Sequence, residues 1–159
     1  APARGGRAAM RIALAVDHAG VPLHDAVYDA LVAGGHEVVE LGEHDDYPNV
    51  ALSVGVAIAS QRTAERGILV CGSGAGVSVA ASKIPGIRAA TCHDHYTAAQ
   101  CVSHDDCNVL CLGARVIGPA VAAELAQAFA GASFSGEERH VRRLGKVSIL
   151  ERDGLESKL

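Results

Sequence analysis

Tryptophan is absent from this 159-residue chain, and two Phe and three Tyr leave aromatic residues at only 3%. Stacking platforms for single-stranded nucleic acid are therefore not expected. An excess of basic charge is missing too: 14 Lys and Arg stand against 18 Asp and Glu, for a net charge of -4. That balance argues against nucleic acid and against a polybasic membrane surface as partners. No apolar run reaches the ~18 residues of a membrane span. Cysteine pairs of the C-x-x-C kind are also missing. The five cysteines, Cys71, Cys92, Cys101, Cys107 and Cys111, are odd in number. They read as free thiols in a reducing cytoplasm, which is the expected location.

What remains is an ordinary globular balance, with 49% hydrophobic and 20% charged residues. With so few aromatics the core must be built from Ala, Val, Leu and Ile. Residues 1–10 carry no apolar segment of a secretory signal. They are expected to be a disordered N-terminal extension, followed by a single domain over 11–159.

Short apolar runs alternate with longer amphipathic ones. Strands are expected at 12–16, 37–41, 66–71, 87–92 and 108–112. Helices are expected at 18–34, 49–60, 74–83, 95–102, 116–130 and 137–152. Runs such as I-A-L-A-V and G-I-L-V-C lack polar alternation, as strands covered on both faces should. The expected fold class is therefore α/β, a three-layer α/β/α sandwich with a parallel sheet of about five strands. Ligands of such sheets lie at the carboxyl ends of the strands. The residues there are Asp17 and His18, 44–48, 71–76, 93–96 and 113–115.

The loop C-G-S-G-A-G-V at 71–77 joins a strand to a helix. Glycine permits positive φ and close approach of backbone to a ligand. The helix start adds N–H groups and a positive dipole end. Such a loop suits a phosphate or an oxyanion that develops in a reaction. The dinucleotide fingerprint G-x-G-x-x-G is a rival: Gly72 and Gly74 fit, Val77 does not, and Asp94 lies where a ribose-binding acid would sit. The Walker pattern and the cysteine-phosphatase pattern both fail. Cys71 is either a small core residue or a thiolate favoured by the helix start, able to act as nucleophile or base.

Histidines and cysteines crowd between Cys92 and Cys107, so a metal site competes, although their spacing matches no standard zinc pattern. On a helix, Arg139 and Arg143 share a face four residues apart. They form either a phosphate clamp or a solvated face.

Taken in order, these pieces resemble the type B ribose-5-phosphate isomerases and the galactose-6-phosphate isomerase subunits. The matching motifs are D-H-A-G at 17–20, D-Y-P at 46–48, C-G-S-G-A-G at 71–76 and K-I-P-G-I-R-A at 83–89. H-D-x-Y at 93–96, H-D-D-C-N-V-L at 104–110, L-G-A-R-V-I-G at 112–118 and R-H-x-x-R at 139–143 complete the set. The resemblance implies an aldose–ketose isomerase that needs no cofactor or metal. Its partner is a small sugar phosphate, and it works as a homodimer or homotetramer with sites shared between subunits. It implies that Cys71 moves a proton between C1 and C2. Ser73 and the backbone of Gly72, Gly74, Ala75 and Gly76 would hold the enediolate, while His104, helped by Asp17, opens the ring. His18, Arg115, Arg139 and Arg143 are implied for phosphate, and Tyr47 for the substrate channel.

One departure bears on the sugar. Many ribose-5-phosphate members have Asn after the ring-opening histidine, facing substrate, and here Asp105 stands there. Ribose 5-phosphate is the first expected substrate. A four- or six-carbon sugar phosphate and a non-catalytic binding module are the alternatives.

Overall fold

The computed structural model describes residues 8–159. The expected N-terminal extension thus falls mostly outside the described residues. Met10, at its end, is buried, and its N–H donates to His36 Nδ1 at 3.3 Å.

Five parallel strands form one sheet in the order β2-β1-β3-β5-β4. They are β1 (Arg11–Asp17), β2 (Glu37–His44), β3 (Arg66–Cys71), β4 (Ala89–Thr91) and β5 (Val109–Gly113). The helices are α1 (Val21–Ala33), α2 (Tyr47–Gly55), α3 (Ala75–Ala81), α4 (His95–Asp105), α5 (Pro119–Gly131) and α6 (Glu138–Asp153). A π-helical turn, Val56–Ser60, continues α2.

Side chains alternate across the sheet, because successive strand residues point to opposite faces. Ile12, Leu14, Val16, Ile68, Val70, Leu110 and Leu112 meet Leu23, Val27, Leu125 and Phe129 of α1 and α5, with Ala98 and Val102 of α4. On the other face Ala13, Ala15, Leu69 and Cys111 meet Val50, Val54, Val77 and Ala81 of α2 and α3. The expected three-layer α/β/α sandwich is therefore the observed one. β3 is buried at every position, in keeping with its unbroken apolar run.

Several boundaries differ from the sequence expectation, each for a local reason. The first helix starts at Val21, not 18, because D-H-A-G forms a turn. The Gly20 N–H donates to Asp17 Oδ1 at 2.9 Å and to the Asp17 carbonyl at 3.0 Å. A Cβ on Gly20 would collide with the Val70 carbonyl, so only glycine fits there. β4 is three residues long rather than six. Arg88 leaves the sheet because its side chain donates to the Asp106 carbonyl at 2.6 Å and its N–H to Asn108 Oδ1 at 2.8 Å.

Buried Arg66 holds the far end of α5. Its guanidinium donates to the carbonyls of Phe129 (2.6 Å) and Ala132 (2.8 Å), which the helix end leaves without partners.

Candidate active site

The carboxyl ends of β1 and β3, the start of α2 and the turn after β5 converge on a cleft of about 440 Å³. It is lined by Asp17, His18, Tyr47, Cys71, Gly72, Ser73, Gly76 and Arg115. Eight of the expected site residues therefore meet at one place, at the sheet edge the parallel topology favours.

Cys71 ends β3 and is buried. The Gly74 N–H donates to its Sγ at 3.1 Å, and the Ala75 N–H to Ser73 Oγ at 3.2 Å. Two loop N–H groups are thus already aimed at the thiol and the hydroxyl. Of the three glycines only Gly74 is left-handed, with φ 80°. Gly76 lies close under Tyr47: a Cβ there would come 3.1 Å from the ring, which would have to give way. The turn after β5 is stitched to the same loop, since the Ala114 N–H donates to the Cys71 carbonyl (2.8 Å) and the Arg115 N–H to that of Gly72 (3.0 Å).

Gly74 and Ala75 complete this loop, whereas His104, Asp105, Arg139 and Arg143 lie elsewhere. α4 runs back across the sheet from the end of β4 to the start of β5, so His104 and Asp105 stand in its last turn at the amino edge. In register, Gly113 pairs with Cys71 and Val109 with Gly67. The four steps along β5 from Val109 to Gly113 separate the two edges by about 13 Å at ~3.3 Å per step. His104 and Asp17 of one chain therefore do not meet. Their expected cooperation cannot take place within a single copy.

Around His104 a second cluster forms. Gln100 Nε2 lies 2.9 Å from His104 Nδ1. The His140 ring stacks on that of His104, with centroids 4.1 Å apart and planes at 28°. Arg139 Nε donates to His140 Nε2 at 3.3 Å, and Ser135 Oγ lies 2.6 Å from His140 Nδ1. His140 is therefore a neutral ring protonated on Nδ1. Burial, then the neighbouring His104 and Arg139, hold its pKa below the usual value. Arg139 and Arg143 do share a face of α6, as expected.

The rival readings lose their residues to other tasks. Asp94 caps α4: Oδ2 accepts from the Thr97 N–H (2.8 Å) and Oδ1 from its hydroxyl (2.6 Å). It is not placed as a ribose ligand. His93 Nε2 accepts the Gly113 N–H at 2.9 Å, and His95 pairs with Glu124 at 3.2 Å. Among the described residues no group of three or more His, Cys, Asp or Glu is arranged to hold a metal ion. Nor is any helix among them long and apolar enough to cross a membrane.

Residues 12–147 match the family model described as Ribose/Galactose Isomerase. Escherichia coli ribose-5-phosphate isomerase B is 39% identical over 145 residues, covering 89% of this chain and 96% of its own. D-erythrulose-4-phosphate isomerase of Pectobacterium atrosepticum is also 39% identical, over 132 residues, covering 80% of this chain and 86% of its own. The solved type B ribose 5-phosphate isomerase of Trypanosoma brucei superposes with a TM-score of 0.83 at 45% identity. It covers 88% of this chain and 97% of its own. The chain belongs to the ribose/galactose isomerase family. It is accordingly an enzyme, an aldose–ketose isomerase.

Proposed function

We propose that the protein interconverts ribose 5-phosphate and ribulose 5-phosphate, in the cytoplasm and within the pentose phosphate pathway, residues 11–159 acting as one domain. Cys71 carries this reading. It is a buried thiol at a strand end, with an N–H on its sulfur and a hydroxyl two residues on. The thiolate removes the C2 proton of the open-chain aldose, and the electron pair moves onto the C1 carbonyl oxygen. The thiol then returns its proton to C1 while the O2 proton passes to O1. Ser73 and the loop N–H groups of Gly72, Gly74, Ala75 and Gly76 stabilise the enediolate between these steps. One base suffices because C1 and C2 are adjacent. The mechanism calls on no cofactor and no metal.

The working unit in this proposal is a homodimer, or a tetramer built from it. His104 opens the ring with the help of Asp17 from a second copy, and Asp105 sits beside the sugar. Arg139 and Arg143 of the same copy hold the phosphate together with His18 and Arg115, and Tyr47 lines the entry. Two observations support this division. The half-sites lie at opposite sheet edges of one chain. In addition, α6 leaves Val147 47% and Leu150 48% exposed three residues apart on one face, apolar surface suited to a copy of itself.

Ketose formation from ribose 5-phosphate in EDTA, for wild type and Cys71→Ala side by side, tests the chemistry. Turnover by wild type alone is expected, with sugar-phosphate binding kept in Cys71→Ala. Undiminished turnover by Cys71→Ala would remove the base. A second reading, a four-carbon phosphate, is favoured by the equal identity to the erythrulose-4-phosphate enzyme and by Asp105. A folded wild type inactive on ribose 5-phosphate but active on erythrulose 4-phosphate would establish it.

A further inference from the structure

β4 is an edge strand of three residues, yet its carboxyl end touches both pieces of backbone that shape the cleft. Thr91 Oγ1 donates to the Gly74 carbonyl at 2.8 Å. His93 Nε2 accepts the Gly113 N–H at 2.9 Å. Neither residue lines the cleft.

The two bonds act on adjoining points. Gly74 holds the left-handed conformation, and its N–H is the group that donates to Cys71 Sγ. A carbonyl fixed by Thr91 fixes the peptide that follows it, which carries the Ala75 N–H to Ser73 Oγ. Gly113 is the register partner of Cys71 and lies flush against Ser73, where a Cβ would come 2.5 Å from the Ser73 carbonyl carbon. It also begins the turn that delivers Arg115 to the cleft. A Cβ on Gly74 would in turn strike Thr91 Cγ2 at 2.9 Å, so the Thr91 methyl and hydroxyl both press on the glycine. Burial holds the His93 pKa below its ordinary value, in keeping with an acceptor nitrogen.

We infer that Thr91 and His93 are positioning residues of the isomerase, a clamp from the end of β4 that sets the Cys71–Gly74 loop against the Gly113–Arg115 turn. They act through Gly74 and Gly113 and need touch no substrate. The inference rests on the reading of Cys71 as the base. It assigns the His93 of the H-D-x-Y motif a role that a metal site or a surface histidine would not have. Misplacing a base or an oxyanion donor by a fraction of an ångström slows the chemical step more than it weakens binding.

The test compares Thr91→Val with Thr91→Ser, and His93→Leu with His93→Gln, reading kcat, KM and Tm on the sugar phosphate that wild type turns over. Val and Leu remove the hydrogen bond, whereas Ser keeps the donor and Gln the acceptor. Thr91→Val and His93→Leu are expected to lower kcat about tenfold or more with KM within about twofold. Thr91→Ser and His93→Gln are expected to return kcat to within about threefold of wild type. If His93→Leu does not fold, His93→Asn, with an amide too short to reach Gly113, replaces it. Equal kcat in the paired variants, or a loss that follows Tm alone, overturns the inference. Cys71→Ala is measured alongside. If it is inactive while Thr91→Val and His93→Leu match wild type, the clamp alone fails. If it is fully active, the base reading fails and the clamp with it.

Discussion

The His104 and His140 rings stack 4.1 Å apart at 28°, joining the last turn of α4 to the first turn of α6. Because Arg139 donates to the same His140 ring, one neutral imidazole supports both the proposed ring-opening histidine and a proposed phosphate ligand. His140→Ala should lower turnover by about tenfold and raise KM, since both neighbours lose their support. His140→Phe keeps the stack without the acceptor and should recover kcat more than KM. Steady-state kinetics on both variants checks this. Wild-type constants for His140→Ala would make the stack incidental.

Arg139→Ala and Arg143→Ala should mainly raise KM, by about tenfold each, because remote phosphate contacts bind ground state and transition state alike. Unchanged KM in both would return this face of α6 to solvent.

Arg66→Met should cost about 3 kcal/mol of stability in urea titration. It strips the carbonyls of Phe129, Ala130 and Ala132 of their donor where little water can replace it. A loss under about 1 kcal/mol would mean that the end of α5 finds other partners.

His24 bridges α1 and β2, with Nε2 2.6 Å from Glu40 and Nδ1 2.9 Å from Asp25. Burial works against its charge, but the hydrogen bonds to Asp25 and Glu40 outweigh it and raise the pKa. A raised folded-state pKa gives stability that is full below the unfolded value of ~6.5 and lost as pH rises through the folded value. His24→Gln should therefore cost about 0.5 kcal/mol near pH 6 and almost nothing near pH 9. Equal costs at both would contradict the charged pairing.

Much of this was legible in the sequence. I-A-L-A-V and G-I-L-V-C announce strands buried on both faces, and the residues that follow them, Asp17, His18 and Cys71 to Gly76, do line the cleft. Apolar runs do not encode which strands are neighbours, so the order β2-β1-β3-β5-β4 came only from the structure. Ile87 and Arg88 continue the pattern of β4, yet the strand starts only at Ala89, because Asp106 and Asn108 hold Arg88 aside. The separation of His104 from Cys71 was legible too, since a helix that links two parallel strands returns to the amino edge, and His104 precedes β5. Thr91 carried no signal beyond a hydroxyl closing a short strand. The Asp94 to Thr97 cap was readable as a helix start, and the ribose reading of Asp94 obscured it.

In the proposed assembly each site joins Cys71 of one copy to His104 of another. Cys71→Ala and His104→Ala should each be inactive alone. When the two are mixed and allowed to exchange subunits, half the dimers are mixed and each of those carries one intact site of two. Activity should then return to about a quarter of wild type. Mixed variants that stay inactive after demonstrated subunit exchange would contradict a shared site.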